Sequence, residues 1–535
     1  MKWITNRKLQ IPQYISKDLK KLAVILLAAA VLSFGLERLI AVIFYGNDAF
    51  FLGRYLGVFV VLELAALFVC FREIVAKKVE IAVLVIILSV GTLYAAALPS
   101  SCGVSWDDEW HYYYPMLLSH ILKPGITEAE MYYMNNFPQT ALERKNYDRE
   151  SQQETYQEID GLYQPEKAAL ADRTWPRYRN LCYLPAAFGL WLGRLLHLPY
   201  HMTFMLGRWF NLLFYAVLVY LAIRKLKSGK LLAAVIALIP FTLFMAASYS
   251  YDPWITAWFL YGFCCFFGEL QRPEKKMTTM ESLCMIFAFF IGAGPKLLYI
   301  PLLLVTLFLP KEKYANPRQR KIILVVLALV FVVACVKLLL LFTVPDAGGI
   351  QDTRGGENID AFGQISYIFS HPWEYTKTLL GFLADYVSLK SAVHYFSYLH
   401  YFTNLEPTVF SSLMVVTLAV VTFTDKSECD LGVKMLPRIA CYVLSFGVLC
   451  LVATSMYVAF TDVGSDTIKG CQYRYIAPIY FPVLYSLGSF RIVNWVRQKC
   501  KIVNRIKREY YNGIVLAICA FVSIHAVWVY AINQY

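Results

Sequence analysis

The chain has 535 residues, of which 58% are hydrophobic, 16% aromatic and only 16% charged, with a formal net charge of +13. That balance is too apolar for a water-soluble globule of this length, and the lack of strand-period alternation excludes a membrane β-barrel. The expected fold class is an all-α polytopic membrane protein.

In chain order, the first 21 residues are basic and carry no short apolar core followed by a small-residue cleavage site, so the first apolar run is expected to serve as the insertion signal. Runs such as KLAVILLAAAVLSFGLERLIAVIF and KIILVVLALVFVVACVKLLLLF supply the roughly 20 apolar residues a helix needs to cross a ~30 Å hydrocarbon layer. Scanning in this way predicts thirteen spans: 22–45, 50–70, 79–98, 202–223, 231–250, 254–270, 280–293, 297–310, 321–342, 405–424, 438–460, 474–490 and 513–531. Basic segments test the count, because MKWITNRKLQ, REIVAKK, IRKLKSGK, QRPEKK, KEKYANPRQRK, DKSECDLGVKMLPR and RIVNWVRQKCKIVNRIKREYY then all fall on one side, which should be cytoplasmic. The positive charge reads as a topology signal with contact to anionic lipid, and no nucleic-acid partner is expected.

Two further apolar runs, 180–198 and 371–396, must not cross, since either would invert every basic loop after it. Both are expected to be re-entrant or interfacial helices. The organisation is then an N-terminal three-span region (1–98), a large outer loop of short helices (99–201), central spans (202–342), a second outer loop (343–404) and C-terminal spans (405–535). No tandem or inverted repeat is evident. Most of the thirteen cysteines lie in apolar runs; Cys102, Cys182 and Cys471 map to the outer side, where one disulfide is an open alternative. His197 and His201 have i, i+4 spacing, but Pro199 between them and the missing HExxH glutamate argue against zinc. Glu37, Arg38, Arg54 and Glu63 read as a structural ion-pair group.

Polar residues recur where spans should meet the outer side. SWDDEWHYYYP holds Asp107, Asp108, Glu109 and His111; SYSYDPW holds Tyr251 and Asp252; GAGPKLLY holds Lys296; GCQYRYIAP holds Gln472, Arg474 and Tyr475. Charged groups at membrane depth normally face protein or water, so helix ends far apart in sequence can surround one cavity. Singly, each could be a helix-end charge.

These motifs, with RYRNLCYLPAAFGLWLGRLLHLP and LGRWFNLLFYAVLVYLAIRK, run in the order and spacing of a bacterial family of multi-span membrane proteins. That family looks like a branch of the GT-C glycosyltransferase superfamily, whose members use polyprenyl-phosphate-linked sugars outside the cytoplasmic membrane. The resemblance covers residues 80–490 and implies a polyprenyl-phosphate-sugar donor, an envelope glycan or glycolipid acceptor and an acidic catalytic residue in the first outer loop. It aligns an Asp-Glu-x-x-His signature onto Asp107, Asp108 and His111, with Asp108 where Glu is usual and Glu109 beside it. It also places its Tyr-Asp, Pro-Lys and Gln-x-Arg-Tyr positions on Tyr251 with Asp252, Pro295 with Lys296, and Gln472 with Arg474 and Tyr475.

Such chemistry suits the residue types. Sugar transfer needs a base for the acceptor's proton, for which Asp107, Asp108 and Glu109 are the candidates, and fixed cations for the departing phosphate, for which Arg474 and Lys296 serve. Trp106, Trp110, Tyr112 and Tyr113 offer flat faces to a sugar ring, or simply sit at the interface. The three carboxylates could also hold a divalent cation. No Gly-rich phosphate loop is found, which disfavours a nucleotide-sugar donor. A transporter or flippase of a lipid-linked saccharide, or a non-catalytic assembly component, are the alternatives.

Overall fold

Apolar runs of about twenty residues with no proline beyond the first turn give the longest helices. A computed structural model of the chain describes residues 13–46, 50–100, 103–121, 125–136, 149–169, 175–343, 355–356, 358–399, 409–425, 434–490 and 505–532, with isolated positions between 491 and 504. Among them, seven helices are long and apolar enough to cross a membrane: Lys20–Tyr45, Leu52–Cys70, Val79–Ala97, Tyr200–Lys225, Pro317–Lys337, Met435–Phe460 and Arg508–Val527. Each coincides with a predicted span, and no strand is present among the described residues.

Of the other six predicted spans, most take short or interrupted forms for a local reason. Pro240 splits 231–250 into Lys230–Ala237 and Pro240–Ala246, because it lacks an N–H and its ring collides with the preceding turn. Pro301 lies inside the 3₁₀ segment Leu297–Phe308, and Pro478 and Pro482 shape the short Ala477–Gly488 helix. Thr279–Gly292 starts at a capping box in which Thr278 and Glu281 satisfy each other's backbone N–H. Val409–Thr424 is the described part of 405–424. Asp252–Leu270 is buried along nearly its whole length, so it is a core helix with a carboxylate near either end, Asp252 and Glu269.

Burial sorts the helices into layers. Val83, Ile86, Ile87 and Val90 of Val79–Ala97 are fully enclosed, as are Leu212, Tyr215 and Ala216 of Tyr200–Lys225. Conversely, Leu27, Val31 and Phe44 of the first helix, and Leu329 and Val332 of Pro317–Thr343, lie open, as side chains meeting lipid do. Near the first helix, Glu37 accepts from Arg54 at 3.0 Å, as the structural reading of those charges expects.

The first loop folds onto the bundle. Its run 180–198 forms a 3₁₀ turn, Tyr178–Tyr183, and the helix Leu184–Leu195, which lies against Tyr200–Lys225. Contact is close because Gly189 faces Gly207: a Cβ on Gly189 would come within 2.8 Å of the Gly207 Cα. The second apolar run, 371–396, becomes Pro372–Tyr386 and Leu389–Tyr395. Tyr112, Tyr133, Tyr200, Phe204 and Tyr249 form a separate aromatic core beneath the loop helices. Cys182 and Cys471 are free thiols, so they do not pair with each other; Cys102 lies outside the described residues.

Candidate functional site

The segment Ser105-Trp106-Asp107-Asp108 makes a sharp turn into the helix Asp108–Ser119. Asp107 adopts φ +54°, a left-handed conformation that Asp and Asn tolerate better than most residues. Its backbone carbonyl accepts from the N–H groups of Trp110 and His111 at 3.0 Å, starting the helix.

That turn gives the neighbouring aspartates different environments. Asp108 is buried and accepts from the Val104 N–H at 2.7 Å, the Ser105 N–H at 3.3 Å and the Ser105 hydroxyl at 2.9 Å. Arg208, fully buried, stands 3.9 Å away and donates to the Pro99 carbonyl at 2.7 Å. Asp108 is thus consumed in holding the turn. Asp107 keeps 31% of its side chain exposed and lies 3.6 Å from Arg474. Glu109 belongs to the same helix, but its side chain lies outside the described residues.

Arg474 enters from the opposite end of the sequence, on the 3₁₀ turn Tyr473–Ile476, and is buried. Its guanidinium donates to Asp252 Oδ2 at 3.0 Å while reaching toward Asp107, and its face lies over Trp106. Asp252 is fixed in turn by the Ser250 hydroxyl, which donates to it at 2.7 Å. Asn211 holds that loop by donating to the Ser248 and Ser250 carbonyls. Lys296 places its ammonium 3.1 Å from the ring centroid of Tyr475, has Tyr251 on another side, and has no carboxylate partner among the described residues. Gln472 caps the Tyr473–Ile476 turn, and its carbonyl accepts from Tyr386 at 2.7 Å.

His111, one turn into the helix, points inward. Its Nδ1 is 2.7 Å from the Tyr183 hydroxyl, and its ring meets Tyr251 edge-on at 4.8 Å. Burial, reinforced by the nearby Arg474 charge, pushes its pKa down to about 4, so the ring is neutral at physiological pH. Its Nε2 is buried and meets no partner among the described residues, and in the tautomer in which Tyr183 donates to Nδ1 it is Nε2 that carries the proton. The Nε of Arg474 is likewise unpartnered.

The sequence-predicted residues Asp107, Asp108, His111, Tyr251, Asp252, Lys296, Gln472, Arg474 and Tyr475 therefore converge at one end of the bundle. The set also includes Arg208, Tyr183, Ser250 and Asn211, which sequence reasoning passed over. Arg208 in LGRWF was the available signal, being a charge in the middle of an apolar run. No three His, Cys, Asp or Glu side chains gather as a metal site among the described residues, and Arg474 stands where a cation between Asp107 and Asp252 would sit.

A buried, opposed set of charges at the end of an all-helical bundle with several apolar helices defines a polytopic membrane protein with a polar site. The chain belongs to the family described as predicted membrane protein (DUF2142), whose model matches residues 137–483. The match includes Tyr251, Asp252, Lys296, Gln472, Arg474 and Tyr475 but begins after Asp107, Asp108, Glu109 and His111, so it is shorter than the 80–490 resemblance expected from the motifs. Searches of curated proteins and of solved structures return no match.

Proposed function

We propose that the protein is a GT-C-type glycosyltransferase of the bacterial cytoplasmic membrane, with its N-terminus cytoplasmic and the Arg474 end extracytoplasmic. It moves a sugar from a polyprenyl-phosphate-linked donor to an envelope glycan or glycolipid acceptor, with inversion. The observation that carries this reading is the unequal pair of carboxylates around Arg474: Asp252 held at 3.0 Å, and the more open Asp107 at 3.6 Å.

That inequality suggests an order of events. An arriving phosphate competes for the longer arm, so Arg474 keeps Asp252 as its anchor and turns its remaining N–H groups to the phosphate oxygens, joined by Lys296 as a point charge. Asp107, released from its cation, accepts the proton of the acceptor hydroxyl. The acceptor oxygen bonds to the anomeric carbon from the face opposite the lipid phosphate. The bond from that carbon to the phosphate oxygen breaks, its electron pair passes to the phosphate, and the two cations stabilise the charge. His111 offers Nε2–H to the donor without adding a charge, and Asp108 positions the turn that presents Asp107.

The test is transfer by purified protein, using a polyprenyl-phosphate-sugar donor and a panel of envelope acceptors. A new glycosidic bond is expected. Movement of lipid-linked sugar across liposomes without a new bond would establish the transporter reading in its place.

A further inference from the structure

At the far end of the Asp108–Ser119 helix lies a cavity of about 660 Å³ that the reaction described above does not use. Its walls include Ser119 and His120, Asp160 and Tyr163, and Trp191 and Arg194. The volume falls within the range of small-molecule sites, and the wall combines apolar surface with a few convergent polar groups, as such sites do. Eleven residues at 1.5 Å each separate Asp108 from Ser119, so this cavity sits about 16 Å from the aspartates. Tyr112, Tyr133, Tyr200 and Phe204 fill the space around the helix that links the two places.

The polar side of the cavity is hydrogen-bonded within the protein. Glu130, fully buried beneath it, accepts from the Thr127 N–H at 2.8 Å and the Thr127 hydroxyl at 3.0 Å, and meets His120 at 2.7 Å and Arg194 at 3.2 Å. Burial alone would raise its pKa, but the hydrogen bond and charge of His120, with Arg194 and the Thr127 N–H, hold it below the usual carboxylate value. Arg194 also donates to the Ser119 carbonyl at 2.9 Å. Asp160 accepts from the His201 N–H at 3.1 Å and meets its Nδ1 at 2.7 Å, with 28% of its side chain exposed. Arg194, the one permanent cation of the wall, is thus spent on Glu130 and the Ser119 carbonyl. What remains is a half-buried Trp191 ring, the Tyr163 ring and the unused lone pairs of Asp160.

We infer that this cavity is a binding site for a neutral saccharide. A sugar ring presents one apolar face of C–H groups for Trp191 and a rim of hydroxyls for Asp160 and its neighbours. Its assignment to the acceptor rests on the glycosyltransferase reading: the reacting unit of an acceptor glycan lies at Asp107 while earlier units of the chain occupy the cavity. Binding of the saccharide itself does not need that reading.

The experiment measures binding of the tetrasaccharides of glucose, galactose, mannose and N-acetylglucosamine, and of an anionic glycerol-phosphate tetramer, to the full-length protein in nanodiscs by saturation-transfer NMR. At least one neutral tetrasaccharide should bind, about tenfold more weakly in Trp191→Ala. Ala168→Phe, which narrows the rim without touching the buried network, should weaken it similarly. No binding by any neutral tetrasaccharide, preference for the glycerol-phosphate tetramer, or binding indifferent to both cavity substitutions would each overturn the site. Saccharide binding without sugar transfer would leave the cavity standing and remove its acceptor role. Transfer unaffected by either cavity substitution would do the reverse, removing the cavity from acceptor binding while the transferase reading stands.

Discussion

At one end of the Asp252–Leu270 helix, Lys313 lies 2.7 Å from Glu269 and donates to the carbonyls of Arg272 at 2.8 Å and Lys275 at 2.6 Å. Lys275 in turn pairs with Glu269 at 3.3 Å and with Glu281 at 2.5 Å. About 26 Å away along the same helix, Arg474 divides itself between Asp252 and Asp107, Lys296 lies against the rings of Tyr475 and Tyr251 with no carboxylate partner, and His111 Nε2 has no partner, among the described residues. Both clusters bring cations and carboxylates together from different elements. The Lys313 cluster spends its cations on the protein's own backbone and carboxylates, which is what a clasp between segments requires. The Arg474 cluster holds charge and polar groups in reserve, at a cost in stability that a ligand can offset, and that is the mark of a site.

Removing one member of the clasp should therefore damage folding and leave chemistry alone. Lys313→Met leaves Glu269 with a weaker partner and strands the two carbonyls, a loss of about 3–5 kcal/mol. Its thermal unfolding midpoint should fall sharply while sugar transfer per folded molecule is unchanged. A fall in transfer without loss of stability would dissolve the distinction between the two ends.

A smaller effect is expected from His111. Its pKa is depressed to about 4 against an ordinary value of 6.5, so the unfolded chain binds more protons than the folded one between those values. The stability His111 contributes by staying neutral is present above about pH 6.5 and is lost as pH falls toward 4, by up to about 3 kcal/mol. The difference in unfolding midpoint between wild type and His111→Gln should shrink and reverse in sign across that window as the histidine becomes a liability. A constant difference would mean that the ring titrates alike in the folded and unfolded chains, and the burial said to hold it neutral would be contradicted.

The sequence announced the membrane class and the positions of the long helices, because apolar length is a property of local composition. Spans containing Pro240, Pro301 and Pro482 were legible as apolar but not as broken, since a window average ignores what one missing N–H does to a turn. The polar site was visible as scattered charges near the ends of runs, and convergence of Asp107, Asp252, Lys296 and Arg474 followed the expectation that such charges face inward. What the sequence could not separate was Asp107 from Asp108. The two are adjacent and chemically identical, and only the left-handed backbone at Asp107 sends one carboxylate into the Ser105 turn and the other toward Arg474. Ser250 was equally invisible, because its importance lies in what it holds, whereas Arg208 could be seen as a charge inside an apolar run.

The central claim is that Asp107 is a base beside a phosphate-binding cation, and the most direct test compares donor binding with sugar transfer in the same preparation of Asp107→Asn. Asparagine keeps the shape and hydrogen bonding of the side chain but cannot take the proton, so transfer should fall by about 10²- to 10⁴-fold while the polyprenyl-phosphate-sugar donor still binds. Arg474→Ala, measured alongside, should lose both, and Arg474→Lys should recover only part because a point charge replaces a two-pronged contact. Transfer at the wild-type rate by Asp107→Asn would contradict the account.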